Sequence, residues 1–197
     1  MFLTSIEYLL VFILSVNIIY LLIFSIASHC SPKNQEIRVN VLNRIVILIP
    51  AYKEDQVIME CVNSCLTQDY PKEKYDIIVI SDQMQDITIL TLAAFPLKLI
   101  KVFFSTKAKA LNYAMDEIGD NYDIAIILDA DNVVDSEFLS HINTSMNQQG
   151  VEVVQAHRTA KNQNTKLAIL DAISEEINNS IFRLGHSNVG LSAALIG

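Results

Sequence analysis

The 197-residue chain predicts an α/β protein, a mostly parallel sheet with helices on both faces, preceded by one transmembrane helix. Three observations lead there. From residue 44 onward, strand-length apolar runs alternate with segments of helical period, the pattern of parallel strands joined by crossover helices. Tyr122 to Leu128 is nearly all apolar, as strands buried on both faces are, and it ends abruptly in Asp129-Ala130-Asp131. Near the amino terminus, Tyr8 to Ala27 is 20 residues without a charge, broken only by Tyr8, Ser15, Asn17, Tyr20 and Ser25 among apolar side chains.

As a helix, that first run would be roughly 30 Å long, the thickness of a bilayer core. A cleaved signal peptide would want a basic start, a shorter apolar core and a small-residue cleavage site, whereas Glu7 is the only charged side chain before the run. Residues 1–28 therefore read as a membrane anchor. Lys33, Arg38 and Arg44 follow it and no Lys or Arg precedes it, so the positive-inside rule places the rest of the chain in the cytoplasm. Ser28 to Asn43, with Pro32 and mixed charges, reads as a juxtamembrane linker, giving a linker over 29–44 and a folded domain over 45–197.

The elements then follow in order. Arg44–Pro50 predicts a strand, Asp55–Gln68 a helix with Val57, Ile58, Cys61, Val62 and Cys65 on its apolar side, and Tyr75–Ser81 a second strand. A short helix over Ile87–Ala94 is ended by Pro96, with Asp86 as its expected N-cap. Leu97–Phe104 predicts a strand, Lys107–Ile118 a helix closed by Gly119, and Tyr122–Leu128 the buried strand. A helix over 136–149 stopped by Gly150 and a fifth strand over Val151–Ala156 complete the alternation. The last helix, Thr165–Leu184, carries Leu167, Leu170, Ile173, Ile177, Ile181 and Leu184 on one stripe, which is expected to be buried in the protein rather than on the membrane surface.

Composition removes several functions. Fourteen basic against 22 acidic side chains give a net charge of −8, which argues against a nucleic-acid groove. Cys30 stands alone, and Cys61 and Cys65, at i, i+4 on a helix, read as packed core in a reducing compartment rather than a zinc or redox site. Only five glycines are present, none just after the first strand, so neither a dinucleotide fingerprint nor a P-loop exists. A phosphate ligand would have to be held by a cation and side chains.

In open parallel sheets, ligands bind beyond the carboxyl ends of the strands. Those ends deliver Pro50-Ala51-Tyr52-Lys53-Glu54-Asp55, then Asp82 with Asp86 four residues on, then Lys107 to Asn112, then Asp129 and Asp131. On a chain still extended, residues i and i+2 share a side, so Asp129 and Asp131 can face one point. Two hard oxygen donors there suit Mg²⁺ or Mn²⁺, which usually arrive with substrate phosphates. The plainer alternative is that Asp129 caps a turn and Asp131 is solvated. On the pair alone the two readings stand level.

The remaining motifs tip the balance. Ile49-Pro50-Ala51-Tyr52-Lys53-Glu54-Asp55 resembles the P-A-Y-N-E opening of family 2 inverting glycosyltransferases, and Asp82-Gln83-Met84-Gln85-Asp86 is similar to their D-G-S-x-D. Thr106-Lys107-Ala108-Lys109-Ala110-Leu111-Asn112 is similar to G-K-x-x-A-L-N, and Asp129-Ala130-Asp131 to the D-x-D. All four occur in family order over residues 45 to about 160. The resemblance implies a GT-A fold binding a nucleotide-diphosphate sugar, UDP-linked by expectation, with a saccharide or lipid-linked acceptor and Mg²⁺ or Mn²⁺ as cofactor. It implies Tyr52 near the base, Glu54 near the ribose or base rim, Asp82 accepting a hydrogen bond from uracil, and Lys107 facing the nucleotide or diphosphate. Asp129 would face the ribose or metal, and Asp131 would be the direct metal ligand. Lys53, Thr106 and Gln83-Met84-Gln85 depart from the family pattern.

Glu54 and Asp55 also suit a helix amino end, Lys109 suits solvent, and His157 and Arg158 are divided between donor contact and a structural role. Glu175 and Glu176 read as a solvated helix face rather than an acceptor-side base, and that base is expected beyond Gly197. Two functions follow: a membrane-anchored inverting glycosyltransferase, or a non-catalytic nucleotide-binding remnant of one. A signalling receiver would need an acidic pair and a phosphoacceptor where Tyr52 and Phe104 stand, and a nucleotidyltransferase would want a Gly-rich loop after the first strand.

Overall fold

The computed structural model describes residues 2–30, 41–148, 151–161 and 164–191. Pro32, Lys33 and Arg38 of the expected linker, Gly150 and residues 192–197 lie outside this range. The chain divides into two compact units, Ile37–Val154 and Met1–Glu36 with Gln155–Gly197.

The first unit is built on strands β1 (Ile45–Tyr52), β2 (Tyr75–Asp82), β3 (Lys98–Val102) and β4 (Ile124–Ile127), all parallel in the order β3-β2-β1-β4. β1 is central and apolar on both sides for a physical reason: each of its faces is covered. Ile45, Ile47, Ile49 and Ala51 pack with helix α2 (Ile58–Leu66) and helix α5 (Phe138–Met146), while Val46 and Leu48 pack under helix α4 (Lys107–Ile118). Fully burying such side chains contributes on the order of 1.5–3 kcal/mol each, so this strand dominates the core. The parallel register sets Tyr52 beside Asp82 and Asp82 beside Val102, which aligns three strand ends along one rim.

Several elements differ from the sequence-based expectation. β4 is not buried on both faces: Ile124 and Ile126 enter the core, but Ala125 is exposed and Ile127 is 58% exposed. The cluster under α4 contains no β4 side chain, so the outer face of this strand has no cover among the described residues of its unit. Residues 151–160 form no strand. Val153 and Val154 are adjacent and so face opposite ways, one to solvent and one half-buried against the core. α2 starts at Ile58 because the Glu54 carbonyl accepts the amides of Val57 and Ile58 in a turn (3.2 and 3.1 Å). Helix α3 (Asp86–Leu92) is capped by Gln85, with Asp86 as its first residue. α4 has its expected limits, and Gly119 ends it at φ 57°. Cys61 and Cys65 are buried core and Cys30 is exposed.

The second unit contains α1 (Phe2–His29), of which Thr4–His29 is long and apolar enough to cross a membrane. It also contains α6 (Lys166–Ile177), a π-helical segment Asn178–Gly185 and a single turn α7 (His186–Asn188). Thr165 caps α6 by accepting the Ala168 amide at 3.1 Å. The apolar stripe expected to be buried is exposed at Leu167, Leu170, Ile173 and Ile177, because the segment after α6 makes the packing contacts instead. A Cβ on Gly185 would lie 2.4 Å from the Phe24 carbonyl oxygen, so only glycine permits this approach to α1. Phe24 stacks on His186 with ring centroids 3.8 Å apart, the Tyr20 hydroxyl and His186 Nε2 share a 2.8 Å hydrogen bond, and Ser180 Oγ donates to Ser28 Oγ at 2.9 Å. Glu175 and Glu176 are not merely solvated: Arg183 pairs with Glu175 at 3.1 Å, and His157 bonds Glu176 at 3.2 Å.

Candidate functional site

The carboxyl ends of the strands surround a cleft of about 370 Å³. Tyr52, Glu54, Asp82, Lys107, Asp129 and Asp131 all line it, together with Pro50, Ala51, Ile80, Ser105, Thr106, Ala110 and Ala130. The structure thus brings together the six residues that the family resemblance assigns to the nucleotide, diphosphate and metal. Asp55, Asp86 and Lys109 stay off the wall. Asp55 accepts the Gln85 amide at 2.9 Å, and Lys109 is exposed. His157 and Arg158 belong to the other unit.

Asp82 organises one side of the wall. It is only 3% exposed, and its Oδ2 accepts the Ser105 amide at 2.6 Å while its carbonyl accepts the Lys53 amide at 3.1 Å. Its Oδ1 is buried and has no hydrogen-bond partner among the described residues. A buried acceptor without a donor carries a desolvation cost, which a ligand N–H would remove. Gln83 Nε2 donates to Ser105 Oγ at 2.6 Å, tying the loops after β2 and β3 to each other. Lys53, Gln83 and Ser105 all hold left-handed backbones, with φ of 57°, 56° and 51°. Lys53 Nζ lies 5.0 Å from the centre of the Tyr52 ring.

On another part of the wall, Lys107 Nζ donates to Asp129 Oδ1 at 2.6 Å. The Asp129-Ala130-Asp131 segment is not extended, contrary to the expected i, i+2 geometry. The Asn132 amide donates to the Asp129 carbonyl at 3.0 Å and closes a turn, yet both carboxylates still reach the cleft. The first turn of α4 also lines it, and a helix amino end carries a partial positive charge.

Four carboxylates against one ammonium would repel a diphosphate unaided. A divalent cation resolves that conflict, and the donor set fits one. Among the described residues no group of three His, Cys, Asp or Glu side chains could hold a metal alone. Mg²⁺ and Mn²⁺ instead characteristically take one or two carboxylates and complete their shell with substrate oxygens and water.

Residues that sequence reasoning missed lie around this wall. Ser105 left no signal, since a left-handed turn residue is normally sought as glycine. Cys61 was read as core only. The neighbouring Cys65 sulfur, burial and the nearby Asp131 and Asp129 carboxylates push its thiol well above the ordinary range. It therefore stays a thiol, and its Sγ donates to the Asp129 carbonyl at 3.7 Å.

Known proteins resemble most of the chain but not all of it. A family model described as Glycosyltransferase like family 2 matches residues 43–187. The dolichyl N-acetyl-alpha-D-glucosaminyl phosphate 3-beta-D-2,3-diacetamido-2,3-dideoxy-beta-D-glucuronosyltransferase of Methanococcus voltae is 28% identical over 156 residues, which cover 74% of this chain and 45% of that protein. The probable glycosyltransferase YdaM of Bacillus subtilis (strain 168) is 32% identical over 100 residues, 46% of this chain and 23% of that one. Among solved structures, the mannosyltransferase PcManGT from Pyrobaculum calidifontis, in complex with GDP-Man and Mn²⁺, superposes with a TM-score of 0.61 at 20% identity. That match covers 72% of this chain and 44% of the mannosyltransferase, so the chain spans about half the length of these relatives at most.

Proposed function

The chain belongs to the family described as Glycosyltransferase like family 2, and from that premise we propose that its cleft binds a nucleotide-diphosphate sugar, UDP-linked, for transfer to a saccharide or lipid-linked acceptor with inversion. The observation that carries the reading is the cleft's division of labour. A buried, partnerless acceptor on Asp82 stands in one wall that also holds the Asp129 and Asp131 carboxylates and the Lys107 ammonium.

In this reading Tyr52 and Glu54 flank the nucleoside, and Asp82 Oδ1 accepts the imino N–H of uracil. Asp131, with Asp129, would hold Mg²⁺ or Mn²⁺, which when bound supplies Lewis-acid stabilisation of the departing diphosphate oxygens. Lys107 and the amino end of α4 add fixed positive charge beside the phosphates. The acceptor hydroxyl then attacks the anomeric carbon opposite the leaving diphosphate, giving inversion, and its proton passes to a carboxylate that is assigned to no pocket-lining residue.

The name of the Methanococcus voltae relative specifies a dolichyl-linked acceptor, which supports the lipid-linked reading. The mannosyltransferase's title names Mn²⁺, which supports the metal. Thr4–His29 is proposed to cross the membrane, supported by its length and apolar character, and the following chain to lie in the cytoplasm, supported by Lys33, Arg38 and Arg44 after it. Calorimetric titration of the full chain in nanodiscs with UDP, with and without Mn²⁺ and with GDP alongside, tests the proposal. Mn²⁺-dependent binding that favours UDP is expected. A folded chain that binds neither nucleotide would sink it.

A further inference from the structure

The turn that carries Asp129 and Asp131 is not self-supporting. From Asp129 to Leu139 its backbone is repeatedly bonded by side chains of Cys61 and Ser64 on α2 and of Gln68 just beyond it. Cys61 Sγ donates to the Asp129 carbonyl at 3.7 Å, and Ser64 Oγ accepts the Val134 amide at 3.2 Å. Gln68 Nε2 donates to the Asp135 carbonyl at 2.7 Å and to the Ser64 carbonyl at 2.9 Å, while its Oε1 accepts the Leu139 amide at 3.1 Å. Two carbonyl partners on one side and an amide on the other fix the orientation of the Gln68 amide. Gln68 is 4% exposed, so these bonds form where water does not compete. α2 itself is locked into the core by Ile58, Cys61, Val62 and Cys65.

We propose that Gln68 is the positioning residue of the carboxylate turn, with Ser64 and Cys61 as its auxiliaries. The three side chains transfer the rigidity of α2 to Asp129 and Asp131, and so set the geometry of the cation and diphosphate end of the cleft while leaving the Asp82 end untouched. The inference rests on the donor-site reading above. Gln68 touches no ligand in it and acts only through the turn.

The test uses the full chain in nanodiscs and two readouts. One is amide hydrogen exchange across residues 129–139. The other is affinity for UDP with Mn²⁺ compared with affinity for UMP in EDTA. In Gln68→Leu, which keeps volume but removes all three bonds, Val134 and Leu139 should exchange about tenfold faster, and Mn²⁺-supported UDP affinity should fall about tenfold. UMP affinity should hold within about twofold. Ser64→Ala, which removes the Val134 bond and the 2.7 Å bond that Ser64 Oγ donates to the Cys61 carbonyl within α2, should show the same pattern at smaller amplitude and serves where Gln68→Leu does not fold.

Equal losses for UMP and Mn²⁺-UDP would mark a general packing role and overturn the proposal, as would faster exchange without any loss of metal-supported affinity. If the parent chain binds no Mn²⁺-UDP, the donor-site reading fails by itself. Exchange then decides the positioning claim alone: acceleration confined to the turn supports it, and unchanged exchange overturns it.

Discussion

Lys107 Nζ and Asp129 Oδ1 are 2.6 Å apart, with 40% and 35% of their side chains exposed, and this contact joins the first turn of α4 to the acidic turn after β4. A bound cation would compete with Lys107 for Asp129, whereas a bound diphosphate would gain from both positive charges. Lys107→Met should therefore act in opposite directions on the two ligands. Mn²⁺ alone should bind about threefold more tightly, measured from free Mn²⁺ by electron paramagnetic resonance. UDP at saturating Mn²⁺ should bind about tenfold more weakly by calorimetry. A fall in both affinities would show that Lys107 positions Asp129 rather than competing for it.

Asp82 carries two tasks that substitution can separate. Asp82→Asn retains an oxygen for the Ser105 amide but offers an NH₂ or a weaker acceptor to the ligand, so the fold should persist while UDP affinity drops about tenfold. Asp82→Ala leaves the Ser105 amide without its acceptor and should also cost about 1–3 kcal/mol in urea unfolding. Equal stability of the two variants would mean that water replaces the carboxylate at Ser105.

The thiols should report burial directly. Cys30 is exposed, whereas the neighbouring Cys65 sulfur, burial and the nearby carboxylates hold the Cys61 pKa above its ordinary value of 9.0. In the native chain at pH 8, iodoacetamide should label Cys30 and leave Cys61 unmodified until denaturant is added. A pKa raised on folding favours the protonated folded state. Its stabilising contribution is thus full below the ordinary thiol pKa and is lost as pH rises above it. Unfolding free energy should decline on the alkaline side of pH 9, and Cys61→Ala should flatten that decline.

In the unit built on α1, the close approach of Gly185 to Phe24 predicts a steric switch. With Cys30→Ser as background, a Ser28→Cys, Ser180→Cys pair should form a disulfide under mild oxidation, because the native hydroxyl oxygens are 2.9 Å apart. Adding Gly185→Leu should reduce the yield several-fold, since its side chain would have to occupy the space of the Phe24 carbonyl. An unchanged yield would show that the contact does not depend on glycine.

Much of this was legible in the sequence because one physical signal dominated each stretch. Unbroken apolar runs located β1 and β2, a left-handed glycine ended α4 at residue 119, and the polar residues after the strands marked the cleft wall. The misreadings have local causes. Val151–Ala156 is rich in valine, but a strand also needs a ladder partner, which composition does not reveal. The stripe of α6 has helical spacing, yet spacing says only that a face is apolar and not what covers it. Gln68 left a faint mark. It continues the buried positions Cys61 and Cys65 at helical spacing, and a polar residue in a core position implies bonding partners whose identity only the fold supplies.

Lys53, Gln83 and Ser105 keep backbone angles that non-glycine residues adopt at a cost of about 1–2 kcal/mol each, and bonds to Asp82 or to one another hold them there. That expense is met when the chain folds, before any ligand arrives. On the proposed reading, a nucleotide entering the cleft would meet walls that are already set, and would lose little affinity to ordering them. Its heat-capacity change should track the apolar area it covers, without the larger signature of a loop that orders on contact. Encounter, rather than closure of this rim, would then set the association rate.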